Sequence, residues 1–148
     1  MPSAAPVSLH DTVATRLRRV NQRMTGNRVT LVDVLAETTR PLTIPEILEA
    51  RPALAQSSVY RNLVVLEQAG VVHRIVTDHE FARYELAEDL TEHHHHLVCV
   101  VCGRVEDVPA SPGVERAVAA ASEDLARTTG FRTLRHRVDL VGLCRDCG

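Results

Sequence analysis

Four cysteines form the clearest chemical pattern in the sequence. They occur as two Cys-x-x-Cys pairs, Cys99 with Cys102 and Cys144 with Cys147. Paired cysteines at this spacing supply the four thiolates of tetrahedral structural zinc sites. Because 41 residues separate the pairs, the ion would join two distant segments of the chain. We interpret the set as a structural zinc site, with a redox dithiol pair and unliganded thiols as the alternatives.

A run of four histidines, His93-His94-His95-His96, leads directly into an apolar segment. Successive side chains of a β-strand point to opposite faces. If the run is a strand, His93 and His95 face one way and His94 and His96 the other, so one segment can serve two metal sites. A solvated polar loop is the alternative. The remaining ligands must come from distant residues, for which the candidates are His10, His73, His79, His136, Glu85 and Glu115.

Length and composition indicate a folded protein of one domain or two small ones. The chain has 148 residues, of which 45% are hydrophobic and 24% charged, and such a chain buries a core. Its apolar runs span a few residues, whereas a membrane helix needs about 20. The N-terminal residues also lack the pattern of a secretory signal. We therefore expect a cytoplasmic protein with no membrane partner, and in that reducing compartment a metal explains the cysteines better than disulfides do.

Basic residues are concentrated near the N-terminus. The net charge is −2, but the first 28 residues contain Arg16, Arg18, Arg19, Arg23 and Arg28 against a single acidic residue. All 17 basic residues are arginines. A guanidinium group binds phosphate through two hydrogen bonds, which favours a nucleic-acid contact. A GC-rich genome also accounts for the absence of lysine, although not for the clustering.

The first half of the chain has the element order of a winged helix-turn-helix. Thr43 and Glu46 form a capping-box pattern before a short helix. Ser57 or Ser58 is the expected N-cap of the next helix, which ends at Gly70. Two alternating segments then predict a hairpin. The predicted helices span residues 11–23, 29–37, 44–51 and 59–69, and the predicted strands span 71–76 and 81–86.

The second half follows an acidic stretch at 88–92 that lacks periodicity and is interpreted as a hinge. It is about 60 residues long, a size at which folds often rely on a metal or on dimerisation. We predict a strand, a turn at Cys102-Gly103, a second strand, a helix capped by Gly130 and a final alternating strand. The predicted strands are 94–100, 104–108 and 134–143, and the predicted helix is 114–128.

In their order and spacing, these features resemble the ferric uptake regulator superfamily of bacterial metal-sensing repressors. The resemblance extends over about residues 11–148. It rests on Arg23-x-Thr25-x-x-Arg28, Ser58-Val59-Tyr60-Arg61-x-Leu63, Tyr84-Glu85-Leu86, the segment from His93 through Cys99-x-x-Cys102-Gly103, and Cys144-x-x-Cys147.

The resemblance implies a fold, a partner and a mechanism. The expected fold is α+β, with a winged-helix DNA-binding domain at 1–87, a hinge at 88–93 and a small α/β metal-binding dimerisation domain at 94–148. The expected partners are a second copy of the chain and double-stranded operator DNA with an AT-rich inverted repeat. A divalent metal at the hinge would hold the two recognition helices about one DNA turn, or a multiple of it, apart, and so repress metal-uptake genes.

The resemblance also implies roles for individual residues. The expected DNA contacts are Tyr60 and Arg61, helped by Ser57, Ser58 and Asn62, with Arg16, Arg19 or Arg23 reaching phosphate or a narrow minor groove. The expected regulatory ligands are Glu85, His94 and His96, completed by His73 or His79. The expected ligands of a second site are His93, His95, Glu115 and His136.

The regulatory metal is less constrained. Iron-sensing members often take a histidine from the segment before the third helix, and residues 39–43 contain none. Zinc-sensing members take a ligand just after the recognition helix, where this chain has His73, although they often have a cysteine at the position of Ala87. Imidazoles with a carboxylate suit zinc and also accept iron, manganese or nickel. We favour zinc and the zinc-sensing branch.

Two other functions are compatible with parts of this pattern. A peroxide sensor of the same superfamily would use bound iron to oxidise its own histidine ligands. A zinc-dependent hydrolase would use Glu85 or Glu92 as a general base beside the histidines. The winged-helix half and the lack of a helical His-Glu-x-x-His motif argue against the hydrolase, so we expect a regulator and not an enzyme.

Overall fold

Two compact units make up the part of the chain that can be described. The computed structural model describes residues 7–148, and residues 1–6, at the start of the first predicted domain, lie outside it. The first unit ends at Glu92 and the second begins at His93. Each combines helix with a three-stranded sheet, as expected for the α+β class. Among residues 7–148, every helix is too short or too polar to cross a lipid bilayer.

Four helices build most of the first unit, and side-chain caps mark three of their starts. Ser8 accepts a hydrogen bond from the Asp11 amide, and Thr25 accepts one from the Arg28 amide. Thr43 forms the predicted capping box with the glutamate at the third helical position. These bonds satisfy amides that a helix leaves without intrahelical partners. The helices are α1 (Leu9–Arg19), α2 (Gly26–Ala36), α3 (Ile44–Ala50) and α4 (Gln56–Gln68).

Helix α4 begins differently from the prediction. The N-cap position is held by Ala55, and Ser57 and Ser58 lie in the first helical turn, so the predicted serine cap is wrong. The Ser58 hydroxyl oxygen instead accepts a hydrogen bond from Asn27 in α2, because the side chain points into the protein. The predicted end is confirmed, since Gly70 follows the helix with φ +70°, a conformation that favours glycine.

The four helices pack around one apolar core. Burial of each leucine or valine side chain contributes roughly 1.5–3 kcal/mol. The core therefore fixes which face of α4 is buried and leaves the opposite face exposed. Fully buried members include Val13, Leu17, Leu31, Val32, Ile47, Leu63 and Leu66.

A small antiparallel sheet completes the first unit. It has the order β1-β3-β2, and the hairpin formed by its last two strands is the predicted one. Its register places His73 directly opposite Glu85. The first strand was not predicted because two residues are too few to show an alternating pattern. The strands are β1 (Leu42–Thr43), β2 (Val72–Ile75) and β3 (Arg83–Leu86).

The second unit is a three-stranded sheet with one helix. Its order is β5-β4-β6, with the central strand antiparallel to β5 and parallel to β6. The predicted strand at 134–143 forms only over Asp139–Gly142, where it pairs with residues 96–99 of β4. Gly130 ends the helix in the left-handed conformation, as predicted. The elements are β4 (His94–Cys99), β5 (Val105–Pro109), α5 (Pro112–Thr129) and β6 (Asp139–Gly142).

The interior of the second unit contains few apolar side chains. Among residues 93–148, the buried side chains are His95, His96, Cys99 and Val105, and three of these four are candidate metal ligands. All 18 residues of α5 are exposed or half-buried. The unit therefore lacks the apolar core that stabilises the first one. Its exposed large apolar residues include Leu97, Leu125, Phe131, Leu134, Leu140, Val141 and Leu143.

Candidate metal centres and nucleic-acid interface

The four cysteines predicted to bind structural zinc lie together. Their sulfur atoms are all within 4.8 Å of one another, and Cys102 Sγ lies 3.8 Å from Cys144 Sγ. A tetrahedral zinc site with metal–sulfur distances of about 2.3 Å has sulfur–sulfur edges of about 3.8 Å. The parallel pairing of β4 with β6 brings the two pairs together, since Cys99 is in register with Gly142. The four thiols fit a tetrahedral zinc ion.

Local hydrogen bonds give two of these thiols different acidities. The backbone amides of Cys102 and Cys144 lower the pKa of Cys99 to about 6. A hydrogen bond with Cys144, together with burial, raises the pKa of Cys147 to about 12. At neutral pH the first thiol is largely a thiolate, whereas the second keeps its proton until a metal displaces it.

His93, His95, Glu115 and His136 form a second group, here called the β4–α5 cluster. The Nε2 atoms of His95, His93 and His136 lie 2.7, 3.2 and 3.2 Å from the same Oε1 atom of Glu115. His95 of β4 and His93, the residue just before this strand, lie on the same side, as the alternation predicts, and Glu115 lies in the first turn of α5. All four residues predicted for the second site are therefore close together.

The electrostatics of the β4–α5 cluster favour an anionic Glu115. Burial disfavours the charged carboxylate, but hydrogen bonds from His95, His136 and His93 outweigh burial and lower its pKa. Three imidazole nitrogens and one carboxylate oxygen converge on one point. This donor set fits a four-coordinate zinc ion and is also compatible with iron or manganese.

His94, His96 and Asp107 form a third group on the other face of β4, here called the β4–β5 cluster. The Nε2 atoms of His94 and His96 lie 3.9 and 3.7 Å from the two carboxylate oxygens of Asp107. His96 is buried, and His94 and Asp107 are half-buried. Two imidazoles and a carboxylate at these distances offer three ligands to a divalent cation.

The other predicted ligands belong to the first unit. His73 and Glu85 are register partners on β2 and β3, so the hairpin presents one imidazole and one carboxylate side by side. His79 lies in the loop between these strands. His10 is paired with Asp33, with Nε2 and Oδ1 2.6 Å apart.

The exposed face of α4 carries three of the five recognition-helix residues predicted to contact DNA. Ser57, Tyr60 and Arg61 are exposed, and 45% of the Tyr60 surface is accessible. Because α4 is held by its buried face, these side chains project together into solvent. A guanidinium, a phenol and a hydroxyl on one helix face suit hydrogen bonds to base edges and phosphates.

The other two, Ser58 and Asn62, are engaged inside the first unit. Oδ1 of the Asn62 side chain accepts from Arg28 Nε at 2.9 Å, and Nδ2 of the same side chain donates to the Ser58 backbone carbonyl at 2.8 Å. Arg28 also donates to the Arg23 carbonyl at 2.5 Å. This network joins α4 to the start of α2. Ser58 and Asn62 therefore have partners within the first unit, and their contact with DNA stays a prediction.

The three N-terminal arginines predicted to reach DNA occupy different environments. Arg19 and Arg23 are exposed. The Arg16 guanidinium donates to both carboxylate oxygens of Asp89, at 3.2 and 2.5 Å, and to the Gly70 carbonyl at 2.6 Å. Its donors therefore hold the turn at Glu88–Leu90 against α1, and the contact of Arg16 with DNA stays a prediction.

Sequence reasoning missed Asp107 as a candidate ligand. It is the register partner of His96 across β4 and β5. The predicted turn at Cys102-Gly103 was the available signal, because a hairpin that pairs Cys99 with Arg104 around this turn places residue 107 opposite residue 96. Arg28 was also missed as the residue that holds the recognition helix, and its contacts depend on tertiary packing that no local pattern reveals.

The family of the chain follows from comparison with known proteins. Residues 19–141 match the model of the ferric uptake regulator family. The chain belongs to the ferric uptake regulator family. It is 30% identical over 137 residues to the ferric uptake regulation protein of Neisseria gonorrhoeae, which covers 89% of this chain and 90% of that protein. It is 27% identical over 135 residues to the peroxide operon regulator of Bacillus subtilis, covering 88% of each.

A solved structure shows the same fold. The ferric uptake regulator Fur of Helicobacter pylori matches with a TM-score of 0.74 and 23% identity, over 99% of this chain and 97% of that one. Proteins of the ferric uptake regulator family have an N-terminal winged-helix DNA-binding domain and a C-terminal dimerisation domain. The chain is thus a metal-responsive transcription regulator, and its relatives are regulators and not enzymes.

The thiol acidities make zinc uptake by the cysteine cluster pH-dependent. Cys147, with a pKa near 12, must lose its proton to bind zinc, so affinity falls as pH is lowered and zinc uptake releases protons. At pH 7.5, Cys147→Ser should lower the number of protons released by about one. Cys99→Ser should lower it by less, because Cys99, with a pKa near 6, is already ionised. A pH indicator in weakly buffered solution measures the difference.

The zinc content of the two variants provides the control. Each variant should take up zinc when it is added in excess but should lose it on mild chelation, whereas the unaltered chain should retain its zinc. Zinc uptake without proton release, or full zinc retention by Cys147→Ser, would refute a four-thiolate site.

Proposed function

We propose that this regulator is a zinc-activated, homodimeric repressor of metal-uptake and metal-homeostasis genes, acting in the cytoplasm on an inverted-repeat operator. The observation that carries the proposal is the β4–β5 cluster. Its strand begins at His94, two residues after the first unit ends at Glu92. A metal bound here acts on the segment that connects the DNA-binding unit to the rest of the chain.

The donor chemistry supports zinc as the regulatory metal. The β4–β5 cluster supplies two imidazoles and a carboxylate, and we propose that Glu85 and His73 of the first unit complete the site. Neutral imidazole is a preferred zinc ligand, and zinc accepts carboxylate oxygen beside it. Iron, manganese and nickel are the alternatives that the same donors admit. When bound, the ion would attract its ligands electrostatically and hold them together, and it would do no other chemistry.

The surface of the second unit supports a homodimer. Leu140, Val141 and Leu143, in or next to β6, are between 58% and 66% exposed, and Leu134 is 80% exposed. Apolar surface on this scale is uncommon on a monomeric domain and marks an association site. A second copy that packs against β6 would bury these side chains and would also place two recognition helices on one molecule, as an inverted repeat requires.

We assign DNA reading to the exposed face of α4. Tyr60 and Arg61 contact base edges, and Ser57 contacts the backbone at the start of the same face. Arg19 and Arg23 bind phosphate or a narrow minor groove, since both are exposed. Asn62 and Ser58 act indirectly by holding α4 on α2 through Arg28.

Metal binding is coupled to DNA affinity through the hinge, which we place at residues 88–93. Without the ion, the two DNA-binding units of the dimer sample many orientations, and this freedom is lost when DNA binds. With the ion bound, the units are already restricted, so less entropy is lost on DNA binding and the affinity rises. Coupling of about 1–3 kcal/mol, or about 5–150-fold in affinity, is typical of allosteric proteins. The domains on either side of the hinge are proposed to be 1–87 and 94–148.

A peroxide sensor is the second candidate. It is favoured by the 27% identity to the peroxide operon regulator of Bacillus subtilis. Iron bound in the β4–β5 cluster would place oxidisable imidazoles next to a redox-active ion. Mass spectrometry of the iron-loaded protein after peroxide treatment separates the two functions, because oxygen added to His94 or His96 would identify the sensor.

The proposed function is tested with the variant His94→Ala/His96→Ala. The unaltered protein should bind an operator, selected from a random duplex library by the zinc-loaded protein, about 5–150-fold more tightly with zinc than after chelation. The double variant should bind weakly in both states, because it lacks two regulatory ligands. Fluorescence anisotropy of labelled operator measures both affinities.

His10→Ala is the matched control, since this imidazole pairs with Asp33 in the first unit. It should keep the full zinc response. A full response in the double variant would refute the regulatory site, and a response restored by iron or manganese but not by zinc would refute the metal assignment.

The roles of the N-terminal arginines predict different salt dependences. Arg19→Gln should reduce the slope of log affinity against log salt by about 0.9 for each phosphate that the protein no longer neutralises. Arg16→Gln should leave the slope unchanged, because its guanidinium is bonded to Asp89 and Gly70. Operator titrations at several salt concentrations measure both slopes.

A double-mutant cycle provides the control for Arg16. Arg16→Gln and Asp89→Asn should each lower the zinc response, and combining them should add little, because both remove the same ion pair. A salt slope that falls equally in Arg16→Gln and Arg19→Gln would instead place Arg16 on the DNA backbone.

A further inference from the structure

Asp139 lies next to the β4–β5 cluster without belonging to its three ligands. It opens strand β6 and is the register partner of His96. Its Oδ1 atom lies 2.9 Å from Nδ1 of His96. On its other side, Arg137 Nη2 lies 3.7 Å from Oδ2. The sequence offered no reason to select this residue, which is one of 19 acidic side chains in the chain.

The two ring nitrogens of His96 face different carboxylates. Nδ1 faces Asp139 on β6, and Nε2 lies 3.7 Å from Oδ1 of Asp107 on β5. His96 as a whole is 4% exposed, so packing holds its side chain between the two strands. A carboxylate only accepts hydrogen bonds, and in neutral imidazole one nitrogen carries the proton while the other has the lone pair. Asp139 therefore selects the tautomer with hydrogen on Nδ1.

That tautomer directs the lone pair of His96 into the cluster. Nε2 faces the same carboxylate group that Nε2 of His94 approaches at 3.9 Å. A carboxylate behind a ligating histidine fixes the orientation of the ring and strengthens its donor nitrogen, and loss of such a partner typically lowers metal affinity by 10–100-fold. Both features are present at His96, since the Asp139 carboxylate lies behind Nδ1 and Nε2 faces the cluster.

We propose that Asp139 is a positioning residue for the regulatory metal: its carboxylate holds His96 so that Nε2 is presented to the ion. The inference rests on the proposed function, because it assumes that the β4–β5 cluster binds the regulatory metal. Metal affinity would then depend on a residue of strand β6 as well as on the ligands in β4 and β5. Since β6 leads into Cys144, the segment that bears Asp139 is held at its other end by the cysteine cluster.

The test compares Asp139→Ala, Asp139→Asn, His96→Ala and the control Glu123→Gln in the full-length protein. All carry His136→Ala, which disables the neighbouring β4–α5 cluster. Glu123 is exposed on α5, so its replacement by glutamine removes the same charge elsewhere in the second unit. Zinc affinity is measured by competition with a chromophoric chelator, and the protonated ring nitrogen of His96 by ¹⁵N NMR before and after zinc addition.

Asp139→Ala should lower zinc affinity about 10–100-fold and remove the preference for hydrogen on Nδ1. Asp139→Asn keeps the size of the side chain and should lose less affinity, because an amide oxygen can still accept the bond. Glu123→Gln should have the same zinc affinity as the parent, which is the chain that carries His136→Ala alone. In the zinc-loaded parent, the Nδ1 proton should be present and Nε2 should be coordinated.

The outcomes separate the inference from the function on which it rests. If His96→Ala leaves zinc affinity unchanged, the regulatory site itself is wrong. If His96→Ala weakens zinc binding but both Asp139 variants bind zinc like the control, only the positioning role is refuted. Coordination through Nδ1 would also refute it. Variants that retain the tightly held zinc of the cysteine cluster have folded. If Asp139→Ala does not fold, Asp139→Asn tests the positioning role.

Discussion

Strand β4 carries candidate metal ligands on both faces and at its end, and the second unit depends on this arrangement. His93 and His95 face Glu115, His94 and His96 face Asp107, and Cys99 belongs to the cysteine cluster. The same strand lies at the centre of the sheet. Because imidazoles and a thiol occupy positions that apolar residues would fill in an ordinary domain, we propose that metal binding stabilises this unit.

The first unit is built on the opposite principle. Its apolar core fixes α4 with a buried face and an exposed face, and Arg28 holds the same helix against α2 through Asn62. The surface proposed to read DNA is therefore preformed, and a metal is not needed to shape it. What a metal can change is the connection between the units, where Arg16 already fixes Asp89. For these reasons we assign metal regulation to the hinge and DNA recognition to helix α4.

Local patterns predicted the parts of the structure that depend on near neighbours. The capping box at Thr43, the helix end at Gly70 and the alternation of the four histidines all depend on spacing within a few residues, and spacing is visible in a sequence. Contacts between segments that lie far apart in the sequence could not be predicted from it. The engagement of Arg16 by Asp89 and of Asn62 by Arg28 depends on how helices pack, and the predicted serine cap of α4 failed because Ser58 bonds to a different helix.

Hydrogen exchange followed by mass spectrometry tests most directly the claim that metals replace an apolar core in the second unit. The fully metal-loaded protein is compared with protein stripped by a strong chelator under reducing conditions. Stripping should greatly accelerate exchange of the backbone amides of β4, β5 and β6, while those of α2 and α4 remain protected by their apolar core. Equal protection of the three strands in both states would contradict the account.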